Sequence, residues 1–170
     1  FHRFTIKAQE ALQNAQELVA KNNHGELKAI HLLKALISDE QTLVRPMLIR
    51  SNVNLADLER ELQLQFDRLP KIFANVGNVS QLYLSQELMK ILDKAAEIAL
   101  KQKDEFVSCE HLMLAILDTP GSAADLLVQF GIRREILLRV LAQLRGSMRI
   151  TDETPESKFQ VLEKYAINLT

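Results

Sequence analysis

The chain repeats itself, and this constrains it more than any other feature. Sliding residues 4–40 forward by 80 positions lays Leu12 on Leu92, Ala15 on Ala95, Glu17 on Glu97 and Lys21 on Lys101. His31 lands on His111, Leu32 on Leu112 and Ala35 on Ala115. Past a one-residue deletion the offset becomes 79, and Leu48 meets Leu127, Val53 meets Ile132, Leu58 meets Leu137, Arg60 meets Arg139 and Leu62 meets Leu141. This period is too long for a solenoid, in which each repeat is one supersecondary unit. It predicts two copies of a multi-helix unit, packed with pseudo-twofold symmetry.

Apolar spacing fills in the unit. Ala8, Ala11, Leu12, Ala15, Leu18 and Val19 form one helical stripe behind an N-cap at Thr5. Further helices are predicted at about 28–38, 41–51 and 55–67, the third with Pro46 in its first turn and the fourth capped by Asn54. Residues 70–84 lack periodicity and read as a loop. In the second copy Ser85 caps a helix at 86–102, Ser108 caps one at about 109–117, Ser122 to Asp125 open a third as a capping-box variant, and 133–145 form the last. Thr5 falls on Ser85, one cap on another. Ser108 falls on Lys28, which cannot cap, so the helix after Lys28 is expected to fray more than its copy. Alternation of β-branched residues never runs far enough to predict a strand. The fold class is all-α: a duplicated four-helix repeat of about eight helices.

Composition narrows the function. Hydrophobic residues are 47% of the 170, and a chain of this length buries roughly 70% of its unfolded surface, enough for one core or two packed together. The net charge is −1, so no global field draws in nucleic acid or anionic lipid. No apolar run approaches the roughly 20 residues that span a bilayer, and no secretory signal opens the chain. Cys109 is the single cysteine, which fits a reducing compartment and a cytoplasmic location. There is no Gly-x-x-x-x-Gly-Lys-Ser/Thr loop, no Gly-x-Gly-x-x-Gly and no His-Glu-x-x-His. No metal cluster is expected from the histidines and Cys109. Cys109 and His111 are two apart on a helix and would not face each other as nucleophile and base. No catalytic site or cofactor is expected in this stretch.

The texture changes at Gly146. Residues 146–157 are polar and broken by Pro155, which reads as a linker. Phe159, Val161, Leu162 and Tyr165 suggest a short helix, and its apolar side fits the start of a further domain.

Several motifs carry a family resemblance. Phe4-Thr5-Ile6-Lys7-Ala8-Gln9-Glu10-Ala11-Leu12 at the head of a duplicated four-helix unit, and Phe106-Val107-Ser108-Cys109-Glu110-His111-Leu112 in its second copy, resemble the Clp N-terminal domain. Val44-Arg45-Pro46-Met47-Leu48, Arg68-Leu69-Pro70, Leu84-Ser85-Gln86-Glu87-Leu88 and the closing Leu162-Glu163-Lys164-Tyr165-Ala166-Ile167-Asn168-Leu169-Thr170 are similar to its ClpB branch. The resemblance covers nearly the whole chain. It implies a Clp N-terminal domain at 1–145 (repeats at about 4–67 and 84–145), a mobile linker at 146–157, and at 158–170 the start of the segment leading into a first ATPase domain. It implies that the longer protein is a hexameric AAA+ disaggregase, using ATP and Mg, that works with the DnaK system on unfolded or aggregated polypeptide. The isolated domain is expected to be monomeric and to hydrolyse nothing.

The resemblance also carries over candidate residues. Thr5, Asp104 and Glu110 match positions tied to substrate engagement. The starts of the two equivalent first helices are expected to approach each other, with an apolar seam formed by Phe4, Leu12, Tyr83, Leu84, Leu88 and Phe106. Each has a structural alternative. Thr5 is also a cap, Glu110 also offsets a helix dipole, Asp104 also suits a turn, and Leu88 also suits a core. Tyr83 is the best contact candidate. His31 and His111, being equivalent, are expected to be structural. A second reading keeps the fold and docks adaptor proteins for a ClpC-like or ClpA-like unfoldase. A third, a stand-alone helical enzyme, lacks clustered acids or histidines.

Overall fold

A computed structural model of the chain describes residues 3–72, 83–146 and 153–156. The predicted closing helix at 158–170 lies outside them. Eight helices stand among the described residues: α1 (Ile6–Lys21), α2 (Ala29–Ser38), α3 (Val44–Arg50) and α4 (Leu55–Asp67), then α5 (Gln86–Lys101), α6 (Cys109–Asp118), α7 (Ser122–Gln129) and α8 (Arg134–Arg145). The fold is all-α and duplicated, as the repeat predicts.

The middle of the molecule is built from α2 and α6, which touch each other. A helix apolar on all sides belongs in a core rather than on a surface. Eight of the ten residues of α2 are buried, and eight of the ten of α6. The longer α1 and α5 are amphipathic and pack their alanine-rich stripes on α2 and α6 respectively. Small residues let those helix pairs approach closely.

The symmetry reaches the backbone. Asn23 and Lys103 are equivalent, and each has a positive φ (56° and 61°) in the turn that ends the first helix of its repeat. The next amides, of His24 and Asp104, donate back to the Val19 and Ala99 carbonyls at 3.0 and 2.9 Å. Asn52 (φ 64°) and Gly131 (φ 78°) are matched in the same way ahead of α4 and α8.

Three expectations need correction. Two short parallel strands exist, β1 (Glu26–Leu27) and β2 (Tyr83–Leu84). Strands of two residues hold no alternation to read, and they pair residues far apart in sequence. Ser122 is the first helical residue of α7 rather than its cap; Gly121 takes the cap position without a side-chain bond. Lys28 does not leave α2 uncapped. His31 Nδ1 accepts the Lys28 amide at 3.0 Å, and the Glu87 carboxylate of α5 accepts the Ala29 amide at 3.4 Å.

Candidate functional site

The starts of the helices are tied together crosswise between the repeats. Residues ahead of α1 pair with residues ahead of α6: Phe4 bridges Val107, the Thr5 amide donates to the Val107 carbonyl at 2.9 Å, and the Val107 amide donates to the Arg3 carbonyl at 2.7 Å. Residues ahead of α5 pair with residues ahead of α2: Glu26 faces Tyr83, Leu27 faces Leu84, and the Ser85 amide donates to the Leu27 carbonyl at 3.0 Å. The first helix of each repeat therefore meets the second helix of the other. The pairing forms two equivalent seams, one joining the starts of α1 and α6 and the other those of α5 and α2.

Thr5 and Ser85 are matched caps. Their hydroxyls accept the Ala8 and Leu88 amides at 3.1 and 3.0 Å. Both residues are buried. Leu88 and Phe106 belong to the core.

Asp104 sits in a buried polar triad. Arg145, the last residue of α8, reaches both its carboxylate oxygens, at 2.6 and 3.0 Å. His111 Nε2 meets Oδ2 at 2.8 Å. His111 Nδ1 accepts the Ser108 amide at 2.9 Å, so the proton on this ring belongs to Nε2, which donates to the carboxylate. The same three slots in the first repeat hold His24, His31 and Phe66. His31 Nδ1 accepts the Lys28 amide, its Nε2 meets His24 Nδ1 at 2.8 Å, and Phe66 lies edge-on to both rings. An ion-paired cluster and an aromatic cluster thus occupy one architectural position. Burial, with His24 and Lys28 nearby, holds His31 down at about 4. Burial, with Lys71 and Lys28 nearby, also lowers His24. Both histidines of the repeat signature are therefore capping residues, as their equivalence predicts.

Glu110 is buried at the start of α6, where the first repeat has Ile30. Its Oε2 has no hydrogen-bond partner among the described residues. Cys109 beside it is buried, and burial pushes its thiol well up, away from the reactive thiolate. Among the described residues no three His, Cys, Asp or Glu side chains gather to hold a metal. No helix among them is long and apolar enough to cross a membrane.

Of the seven candidate residues, Thr5, Leu88, Asp104, Phe106 and Glu110 are buried, and Tyr83 and Leu84 are exposed, by 61% and 40%. Tyr83 lines a cavity of about 380 Å³ together with His24, His31, Glu26, Lys28 and the apolar Leu69, Pro70 and Ile72. Ile72 is itself 47% exposed. Since His24 Nδ1 accepts from His31, the proton of His24 sits on Nε2; Glu26 and Lys28 also line the cleft, beside its apolar residues. Sequence reasoning missed His24, Leu69 and Ile72. The usable signal was a short apolar run starting at Ile72, two residues after the helix-stopping Pro70.

A duplicated, pseudo-twofold helical domain with crossed seams defines a class, and the comparisons place the chain within it. Residues 3–130 match the family model described as Clp repeat (R) N-terminal domain. The chain belongs to the Clp N-terminal domain family. It is 32% identical over 169 residues to the chaperone protein ClpB of Clostridium perfringens, and 34% identical over 169 residues to that of Nitratidesulfovibrio vulgaris. Each alignment covers 98% of this chain and 20% of the relative, so the chain spans about a fifth of their length. Among solved structures, the Hsp104 N-terminal domain from Candida albicans superposes with a TM-score of 0.79 at 25% identity, covering 91% of this chain and 99% of that one. A ClpV N-domain in complex with VipB peptide shares the fold, with a TM-score of 0.65 at 18% identity over 82% of this chain and 85% of that one.

Proposed function

We propose that this domain engages unfolded or aggregated polypeptide for a ClpB-type disaggregase. The observation that carries this reading is the exposure of Tyr83 and Ile72 on a mostly apolar cleft, with the exposed Leu84 next in the chain to Tyr83. Unfolded chains differ from folded ones in showing apolar side chains, and a mostly apolar cleft with a few polar groups reads that difference without demanding a sequence. The polar lining residues, His24, Glu26 and Lys28, offer partners for a substrate backbone. Affinity in one such cleft is low, and repetition around a ring raises it through effective concentration. The ClpB relatives and the peptide complex of a ClpV N-domain are consistent with this use of the fold.

In this reading Tyr83, with Leu84 beside it, touches the substrate, while Thr5, Leu88, Asp104, Phe106 and Glu110 hold the fold and do not line the cleft. Residues 1–145 form the domain, 146–157 link it onward, and 158–170 lead into the first ATPase domain. ATP, Mg, the hexameric ring and the cooperation with DnaK in the cytoplasm belong to the longer protein, and the isolated domain is a monomer.

The test is Tyr83→Ala, read against reduced and carboxymethylated α-lactalbumin, a chain that cannot refold. Capture by the domain should fall several-fold with the melting temperature unchanged. Unaltered capture, or a preference for a folded adaptor over the unfolded chain, would overturn the reading in favour of adaptor docking.

A further inference from the structure

Residues 153–156 return to the front of α1. The Ile6 amide, which as the first of the helix has no partner within it, donates to the Glu153 carbonyl at 2.8 Å. Pro155 is buried, and Glu156 is only 8% exposed. Glu156 thus carries an ionisable side chain to a place that already holds another, the buried Glu110 of α6 with its unpartnered Oε2. The other charged groups that act on Glu156 are Lys7 of α1 and Asp39 after α2. Lys7 is already engaged by Glu10 at 3.2 Å and Asp39 at 3.4 Å. Lys7 is thus divided among the carboxyls of Glu10, Asp39 and Glu156, Glu110 adds a fourth, and charging Glu156 in that place carries a desolvation and repulsion penalty.

We infer that Glu153–Glu156 is a proton-sensitive strap, seated on the starts of α1 and α6 while the Glu156 carboxyl carries a proton and released when it ionises. Burial first, and then repulsion from Glu110, raise Glu156 from 4.5 to about 7. The sign follows from linkage. The seated state binds the proton more tightly than the released state, so seating takes up a proton. It is favoured below the released value and weakens as the pH rises through the seated one. Between pH 5.5 and 8.5 the seating constant falls about 30-fold for such a shift. Seating also withdraws the free amide of α1 and screens Glu110, whatever the cleft at Tyr83 binds.

Hydrogen exchange at the Ile6 amide reads this directly, because its partner is the Glu153 carbonyl. Its protection factor, corrected for intrinsic exchange, should drop about 30-fold from pH 5.5 to 8.5 in the intact chain, with α6 core amides such as Leu114 still protected. In Glu156→Gln, which mimics the protonated carboxyl, protection should stay high and flat. The eight helices lie outside the substituted segment, and a circular dichroism melt confirms the fold. A flat profile in the unsubstituted chain, or an equal drop in Glu156→Gln, would overturn the proposal.

Discussion

Asp104 is the most constrained residue of the second repeat. Its carboxylate is bound by Arg145 and His111 out of contact with water. Removing one member of a buried ion pair leaves the others desolvated and uncompensated, which costs about 3–5 kcal/mol. Asp104→Ala should lose stability on that scale in urea unfolding. The first repeat suggests the compensated change, since its equivalent slots hold His24 and Phe66. Asp104→His together with Arg145→Phe should lose clearly less than Asp104→Ala alone. A loss below about 1 kcal/mol for the single change would mean that the triad is not what holds α8 to the α5–α6 turn. None of this was legible in the sequence. Asp104 and Arg145 are 41 residues apart, and no local pattern links the end of one helix to a turn before another. The repeat did show that His31 and His111 share a role, because equivalence survives even when the neighbours have diverged.

At the level of the element, each helix start is fixed from two sides. The caps of α1 and α5 accept within their own helix while their amides are bound by the opposite repeat. Thr5→Ala and Ser85→Ala remove only the within-helix half, worth about 1 kcal/mol each. Their losses, measured by chemical unfolding, should be equal within error. A much larger loss at Thr5 would show that its hydroxyl supports more than the α1 cap. Helix positions were legible here because periodicity and capping are local. The start of α2, which the sequence left bare, is closed by the local His31 and by a long-range partner. Glu87 of α5 reaches the Ala29 amide of α2, and its carboxylate runs over Gly121, where a Cβ would come within 1.6 Å of Oε2. A side chain at this position would have to push the flexible Glu87 carboxylate aside, away from the start of α2. The cleft was less legible than the helices, because it is lined by the residues between elements.

For the whole molecule, duplication does not mean two independent halves. Each repeat donates its leading segment to the other, and α2 and α6 bury one another at the centre. A chain of residues 3–72 alone would expose the α2 face and lose the partner of β1. Fragments 3–72 and 83–146 should each lack a cooperative melt by circular dichroism, and mixing them should restore one. A cooperative transition in either fragment alone would show that the repeat is itself a folding unit. Crossed pairing also brings residues 4 and 107 together, so the fold depends on contacts distant in sequence despite its helical content.

The placement of Arg145 has a mechanical side. It is the last residue of α8, and its guanidinium is fastened to the turn between α5 and α6. A tug on the backbone beyond Gly146 would otherwise unravel a helix from its end, where hydrogen bonds are weakest. Here the load passes through two parallel charge-assisted bonds into the middle of the domain. The last turn of α8 acts as an anchor point, so a pull from downstream moves the body rather than peeling its edge.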